Sequence, residues 1–283
     1  MRVLITGGSG QLGTDLALAC AGSGDDVVAM GREELDVTDR SAVDDVVLGG
    51  RFDAVVNAAA WTAVDACEDD PERAFQVNAL ACRWVADACR RAGTHLVHVS
   101  TDYVFDGTKV GPYHEWDEPG PRSVYGASKL AGEREVRLLL PGATVARTSW
   151  VFGVHGHNMV KTVLSLRHRD ELAFVDDQRG CPTATADLAA ILRELAAARL
   201  PGTFHVTNQG STSWYGFVRD VLGLAGEDPD KVRPISTGEL DPPRPAPRPA
   251  NSVLDGAALR LAGHPPLRHY REALREVVES LLA

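Results

Sequence analysis

The chain has 283 residues, 44% apolar and 24% charged, close to the averages of soluble globular proteins; a disordered, fibrous or disulfide-stapled chain is excluded, and the length suits one large domain or two tightly packed ones. Lys and Arg number 29 against 39 Asp and Glu, a net charge of −10 with no long basic run, which argues against nucleic acid or an anionic membrane as partner and requires any anionic ligand to find a local basic pocket. Five cysteines (Cys20, Cys67, Cys82, Cys89, Cys181), an odd number in no C-x-x-C spacing, read as buried thiols, with no disulfide framework and no metal site expected.

The start, Met1-Arg2-Val3-Leu4-Ile5, reaches glycines after three apolar residues, too short for a signal peptide's apolar region or a membrane span, so a cytoplasmic location is the expectation. Short apolar runs over Val3–Ile5, Val27–Met30, Ala54–Ala58, Leu96–Ser100 and Ala143–Thr148 then read as strands buried on both faces. Amphipathic stretches over Gln11–Ala21, Arg40–Leu48, Pro71–Ala92 and Ala127–Leu140 read as the helices between them. This alternation predicts an α/β protein with a Rossmann-type doubly wound parallel sheet and right-handed crossovers.

Past residue 150 the pattern loosens. Strands are expected near Leu172–Val175 and Thr203–Val206, with helices over Thr185–Ala198 and Tyr270–Leu282. Asp241–Pro249 holds five prolines and must be an extended loop, because proline lacks the amide donor and fixes φ. The predicted organisation is a dinucleotide-binding domain over residues 1–150, with the chain returning to it at about 170–204, and a smaller C-terminal substrate-binding region made of 151–169 and 205–283.

Thr6-Gly7-Gly8-Ser9-Gly10-Gln11-Leu12-Gly13 follows the first strand and opens a helix. Gly7, Gly10 and Gly13 fit G-x-x-G-x-x-G, while Gly8, Gly10 and Gly13 fit G-x-G-x-x-G; both spacings let backbone amides and a helix N-terminus approach a pyrophosphate. An NAD-selective site places a carboxylate after the second strand, where this chain has Gly31-Arg32; a guanidinium there suits the 2′-phosphate of NADP. Leu35–Asp39 reads as a further short strand, with Asp36 and Val37 placed to contact adenine and Asp39 able to cap the next helix. Tyr125 and Lys129 stand four apart at a helix start, 24 residues after Thr101, which ends a strand at the sheet's carboxyl edge. Three donors could then converge on one carbonyl. Hydride delivered to a ketone creates an alkoxide, which needs a proton source, and an ammonium beside a phenol is expected to lower the phenol's pKa.

Together with Asn57-Ala58-Ala59-Ala60, Ser100–Gly107 and Tyr125-Gly126-Ala127-Ser128-Lys129, the glycine turn resembles the extended short-chain dehydrogenase/reductase superfamily. One branch fits best. Asn57–Asp65, Arg147–Gly153, Asp177–Thr183 and Arg248–Ser252 are similar to the dTDP-4-dehydrorhamnose reductase family across nearly the whole chain. The resemblance implies reduction of a dTDP-linked 4-keto-6-deoxysugar by NADPH or NADH. It puts the catalytic residues at Thr101, Tyr125 and Lys129. Cofactor contacts fall on Gly10, Gln11, Leu12, Asp36, Val37, Ala60, Trp61, Thr62, Tyr125 and Lys129, to which the residue reading adds Gly7, Gly13 and Arg32. Substrate contacts fall on Thr101, Asp102 and Trp150; Arg244 and Arg248 are candidates for the diphosphate on charge grounds.

Trp61 departs from the family, which more often has tyrosine or histidine there. A 4,6-dehydratase is disfavoured because that family resembles Thr-Asp-Glu where this chain has Thr101-Asp102-Tyr103. A sister 4-ketoreductase or 4-epimerase would use the same triad, and a non-catalytic nucleotide-binding subunit would share the fold. The sequence leaves these readings, and a homodimer, open.

Overall fold

The computed structural model describes residues 1–283. The first half runs β1 (Arg2–Thr6), α1 (Gln11–Gly22), β2 (Asp26–Met30), α2 (Arg40–Gly50), β3 (Ala54–Asn57), α3 (Val64–Asp69), α4 (Pro71–Phe75), a π-helical turn (Gln76–Leu80), α5 (Ala81–Ala92), β4 (His95–Thr101), α6 (Val124–Leu139) and β5 (Thr144–Thr148). The second half runs β6 (Val151–Phe152), α7 (Met159–Leu166), β7 (Leu172–Val175), β8 (Arg179–Gly180), β9 (Thr183–Ala184), α8 (Thr185–Ala198), β10 (Gly202–His205), β11 (Thr212–Ser213), α9 (Trp214–Leu224), β12 (Val232–Ile235), α10 (Ala257–Leu261) and α11 (Tyr270–Leu282).

Six strands form one parallel sheet in the order β10-β5-β4-β3-β1-β2, the doubly wound α/β arrangement read from the sequence. Alternating residues of β1 point to opposite faces: Val3 and Ile5 pack with Leu12, Leu16, Leu188 and Leu192 of α1 and α8, while Leu4 packs with Val43, Val47, Val85 and Val136 of α2, α5 and α6. Both faces around β1 are therefore apolar, and Val3–Ile5 reads as a continuous hydrophobic run, whereas β2, at the sheet edge, is exposed or half-buried throughout and not buried on both faces as expected. The chain leaves β1 toward β2 on one side and β3 toward β4 on the other, so the topological switch lies at the carboxyl ends of β1 and β3.

A separate core forms the smaller region, where Phe152, Val160, Leu172, Phe217, Val232 and Leu274 meet across α7, α9, α11 and the parallel pair β7 and β12. The chain comes back to the large sheet with α8, which lies on α1, and with β10, which pairs with β5. Leu172–Val175 stays with the smaller region, because it pairs with Val232–Ile235, so the return begins at α8 instead of near residue 170.

Three local expectations are corrected. Leu35–Asp39 is not a strand: the Asp36 carboxylate accepts hydrogen bonds from the Thr38 amide (2.9 Å) and hydroxyl (2.7 Å), a local turn that competes with extended pairing. Pro71–Ala92 is one helical run broken by the π-helical turn. The helix expected from Ala127 starts at Val124, capped by Ser123, whose hydroxyl accepts from the Gly126 amide at 3.1 Å. Asp39 does cap α2, accepting from Ser41 and Ala42. All five cysteines are free and buried. No helix is long and apolar enough to cross a membrane.

Candidate active site

The glycine turn and the loop after β3 meet at the switch point, and their closeness depends on missing side chains. A Cβ on Gly13 would stand 2.2 Å from the Gly7 carbonyl oxygen and 2.7 Å from Gly8 Cα; one on Gly7, whose φ is +70°, would stand 2.8 Å from the Ala59 amide nitrogen. Gly10 caps α1 without a side chain, and no acidic residue stands in the first turn, so the amides there remain available to an anion. Gly13→Ala is accordingly expected to cost about 1–3 kcal/mol of stability through overpacking, read as a lower thermal midpoint, and to weaken dinucleotide binding. A variant with unchanged midpoint and affinity would contradict the close fit.

A cavity of about 250 Å³ extends from this turn, lined by Gly7, Gly10, Arg32, Asp36, Val37, Ala60 and Trp61. Arg32 is largely exposed and lies 3.7 Å from the Asp36 carboxylate. The cavity also holds a residue the sequence reading missed: the Arg73 guanidinium stands 4.5 Å above the Trp61 ring. Arg73 follows Trp61 by twelve residues across an unanticipated helix, and nothing in its spacing signals the contact.

On the other side of the turn a cleft of about 430 Å³ is bordered by Gln11, Leu12 and Gly13, by Thr62, and by Thr101, Asp102, Tyr125, Lys129 and Trp150. Thr101 ends β4, and its hydroxyl donates to Asp102 Oδ1 at 2.9 Å while accepting from the Tyr103 amide at 3.2 Å. Asp102 Oδ2 accepts from Ser149 at 3.0 Å; burial pushes its carboxyl above the ordinary range. Lys129 donates to the Val99 carbonyl at 2.7 Å, and burial lowers its pKa. Burial also raises the Tyr125 phenol, against a smaller opposing effect of hydrogen bonding with Thr101. Desolvation thus outweighs the Thr101 hydrogen bond and holds the phenol above its ordinary value.

Below these residues the π-helical turn aims buried Asn78 at two elements at once. Its side chain accepts from the Trp61 amide (2.8 Å) and donates to the Trp61 carbonyl (3.1 Å) and the Ser128 hydroxyl (3.1 Å). Asn78 thus ties the loop after β3 to the helix that carries Tyr125 and Lys129. The Thr148 hydroxyl is buried beside the cleft without a hydrogen-bond partner in the chain.

Trp150 has φ of +46°, an uncommon conformation for a bulky residue. Its ring is stacked on Trp214 with centroids 3.7 Å apart, and a Cβ on Gly180 would stand 2.4 Å from it. The indole is therefore pinned at the cleft wall. Tyr103 and Trp214 also border a third cavity of about 240 Å³, lined by Phe174, Gln178, Arg244 and Arg248. The structure thus gathers the expected residues around three adjoining spaces: Arg32, Asp36, Val37 and Trp61 at one end, Thr101, Tyr125 and Lys129 in the middle, Arg248 at the other. The glycine cradle and the free helix end fit a dinucleotide, and the arginine-lined slot fits an anion beside an apolar ring.

The sequence model of a family described as RmlD substrate binding domain matches residues 1–283. A dTDP-4-dehydrorhamnose reductase of Streptomyces griseus is 46% identical over 99% of this chain and 94% of its own. A probable dTDP-4,6-dihydroxy-2-methyloxan-3-one 4-ketoreductase of Streptomyces antibioticus is 45% identical over 100% of this chain and 96% of its own. Among solved structures, a dTDP-4-dehydrorhamnose reductase of Bacillus anthracis in complex with NADP superposes with a TM-score of 0.94 at 38% identity, covering 99% of both chains.

Proposed function

The chain belongs to the RmlD substrate binding domain family, and on that premise we propose that it is an NADPH-dependent oxidoreductase that reduces the 4-keto group of dTDP-4-dehydro-6-deoxy-L-mannose to give dTDP-L-rhamnose. The observation that carries this reading is the meeting of Thr101, Tyr125 and Lys129 in a cleft that opens onto the glycine turn on one side and the arginine slot on the other. Bound reduced nicotinamide supplies the hydride. As charge develops on the ketone oxygen, Tyr125, whose phenol is protonated at neutral pH, donates its proton there. Thr101 donates a hydrogen bond to the same oxygen once it turns from Asp102, and Lys129 holds the ribose while its charge supports the phenolate left behind. Trp150 packs on the sugar, and Arg248 faces the diphosphate.

The test is oxidation of NADPH and NADH, in parallel, by the purified protein with the enzymatically prepared keto sugar. Turnover yielding dTDP-L-rhamnose is expected. No oxidation in protein that binds NADPH would overturn the assignment. A sister 4-ketoreductase is the second reading, favoured by the 45% identity to the Streptomyces antibioticus protein; preference for that protein's keto sugar would establish it.

Arg32 is assigned to the 2′-phosphate of NADP. Arg32→Ala is expected to raise the KM for NADPH about 10-fold and leave that for NADH unchanged, because the lost interaction is a charge-assisted hydrogen bond to the phosphate alone. Equal effects on both cofactors would remove Arg32 from that role.

A further inference from the structure

Residues 241–249 cross from the smaller region to the first domain as a proline-rich strap, and none of them makes a backbone-to-backbone hydrogen bond. Five prolines explain the missing amide donors, and such a segment must be held by other means. The holding point is Asp65, in the first turn of α3. Its Oδ1 accepts from Arg248 Nη1 (2.7 Å) and the Ala246 amide (3.2 Å), and its Oδ2 accepts from Arg248 Nη2 (2.7 Å) and Arg244 Nη1 (3.5 Å). Arg248 Nη1 also donates to the Ala246 carbonyl at 2.7 Å, which folds the strap around its own guanidinium. The pair is bidentate, and the Arg248 side chain is only 11% exposed. Both arginines line the slot beside Tyr103 and Trp214.

We infer that Asp65 is a positioning residue that fixes Arg244 and Arg248 over the slot, so that the diphosphate of a nucleotide sugar meets preset guanidinium groups and a closed strap. The inference rests on the proposed dTDP-sugar reading. Ordering two long side chains and a strap at the moment of binding would subtract from affinity; a carboxylate that orders them beforehand removes that cost. One carboxylate against two guanidinium groups leaves a net positive charge for the diphosphate. The neighbouring Arg248 also keeps the Asp65 carboxyl down to about 2, so the tie is present throughout the neutral range.

Calorimetric binding of dTDP and of NADPH to the full chain and to Asp65→Asn tests this. The variant is expected to bind dTDP about 10- to 30-fold more weakly and NADPH within about 2-fold of the parent, with the change in turnover falling on the sugar's KM more than on kcat. Asp65→Glu should recover part of the loss, and adding Asp65→Asn to Arg248→Ala should cost little beyond Arg248→Ala alone. Unchanged dTDP affinity in Asp65→Asn, or NADPH binding weakened in parallel, would overturn the role. Failure of the parent chain to bind dTDP would overturn the nucleotide-sugar reading beneath it.

Discussion

Tyr125→Phe is expected to lower kcat/KM about 1,000-fold while leaving the dissociation constant for NADPH within about 2-fold, since general acid catalysis of this kind contributes roughly 10²–10⁴. The substitution removes one oxygen and keeps the ring, which sits edge-on to Tyr103 with centroids 5.5 Å apart and packs near Cys67 and Ala74. Packing is thus preserved, and the loss reads the proton alone. Stopped-flow oxidation of NADPH under single-turnover conditions separates the chemical step from product release. A loss smaller than about 10-fold would remove Tyr125 from the role of acid. Lys129→Met serves as the contrast: it should lose turnover and weaken cofactor binding together.

The second large effect lies one helical turn beyond Lys129. Glu133 is fully buried and accepts from Arg147 Nε (2.9 Å) and Nη2 (2.8 Å), from Arg137 (2.9 Å) and from the Ser100 hydroxyl (2.6 Å). It thereby joins α6 to β4 and β5 directly behind the catalytic cleft. Glu133→Ala strands the Arg147 guanidinium, itself 2% exposed and carrying an unpartnered Nη1, and is expected to cost about 3–5 kcal/mol, or a fall in thermal midpoint of roughly 2 °C per kcal/mol. Replacing both partners by apolar residues should cost much less, because no charge is then left without a mate. A Glu133→Ala midpoint within about 2 °C of the parent would show that the pair carries little.

The same pair sets an acid limit. Hydrogen bonds from Arg147, with support from Arg137 and Ser100, outweigh burial and hold the Glu133 carboxyl well below its ordinary value of 4.5. A depressed folded-state pKa contributes stability above the unfolded value and loses it as the pH falls toward the folded one. The loss is therefore expected below pH 4.5, and Glu133→Gln should flatten this part of the unfolding profile.

The large sheet was readable because β1 and β3 are buried on both faces and carry the short apolar runs Val3–Ile5 and Ala54–Val56, while β5, equally buried, has only Val145 and Ala146 between polar residues. The glycine turn was readable for the same kind of reason: Gly13 has contacts that no Cβ could share. Other features had no such local signature. Val64–Asp69 is six residues with one buried side chain, Cys67, so its helical period is too short to register, and with it went the site of Asp65; Arg73 lies in the expected helical stretch, but no local pattern signals its stack on Trp61. Leu35–Asp39 looked like a strand by composition, but Asp36 bonded its own neighbour. β7 found its partner nearly sixty residues later in β12, a pairing that no local pattern announces.

The last strand of the large sheet, β10, ends at His205, and α8, which supplies Leu188, Leu192 and Leu195 to the core under β1, precedes it directly. A ribosome that has released only the first 150 residues has made the whole glycine turn and all three reactive groups, yet one face of the sheet still lacks its cover. Because β5 remains an open edge and α1 lacks α8 until about residue 205 has emerged, the nascent chain carries an exposed apolar surface through more than fifty further residues of synthesis. The half of the protein made first is completed late, which makes cotranslational protection, more than final stability, the expected bottleneck when the chain is produced at high rate.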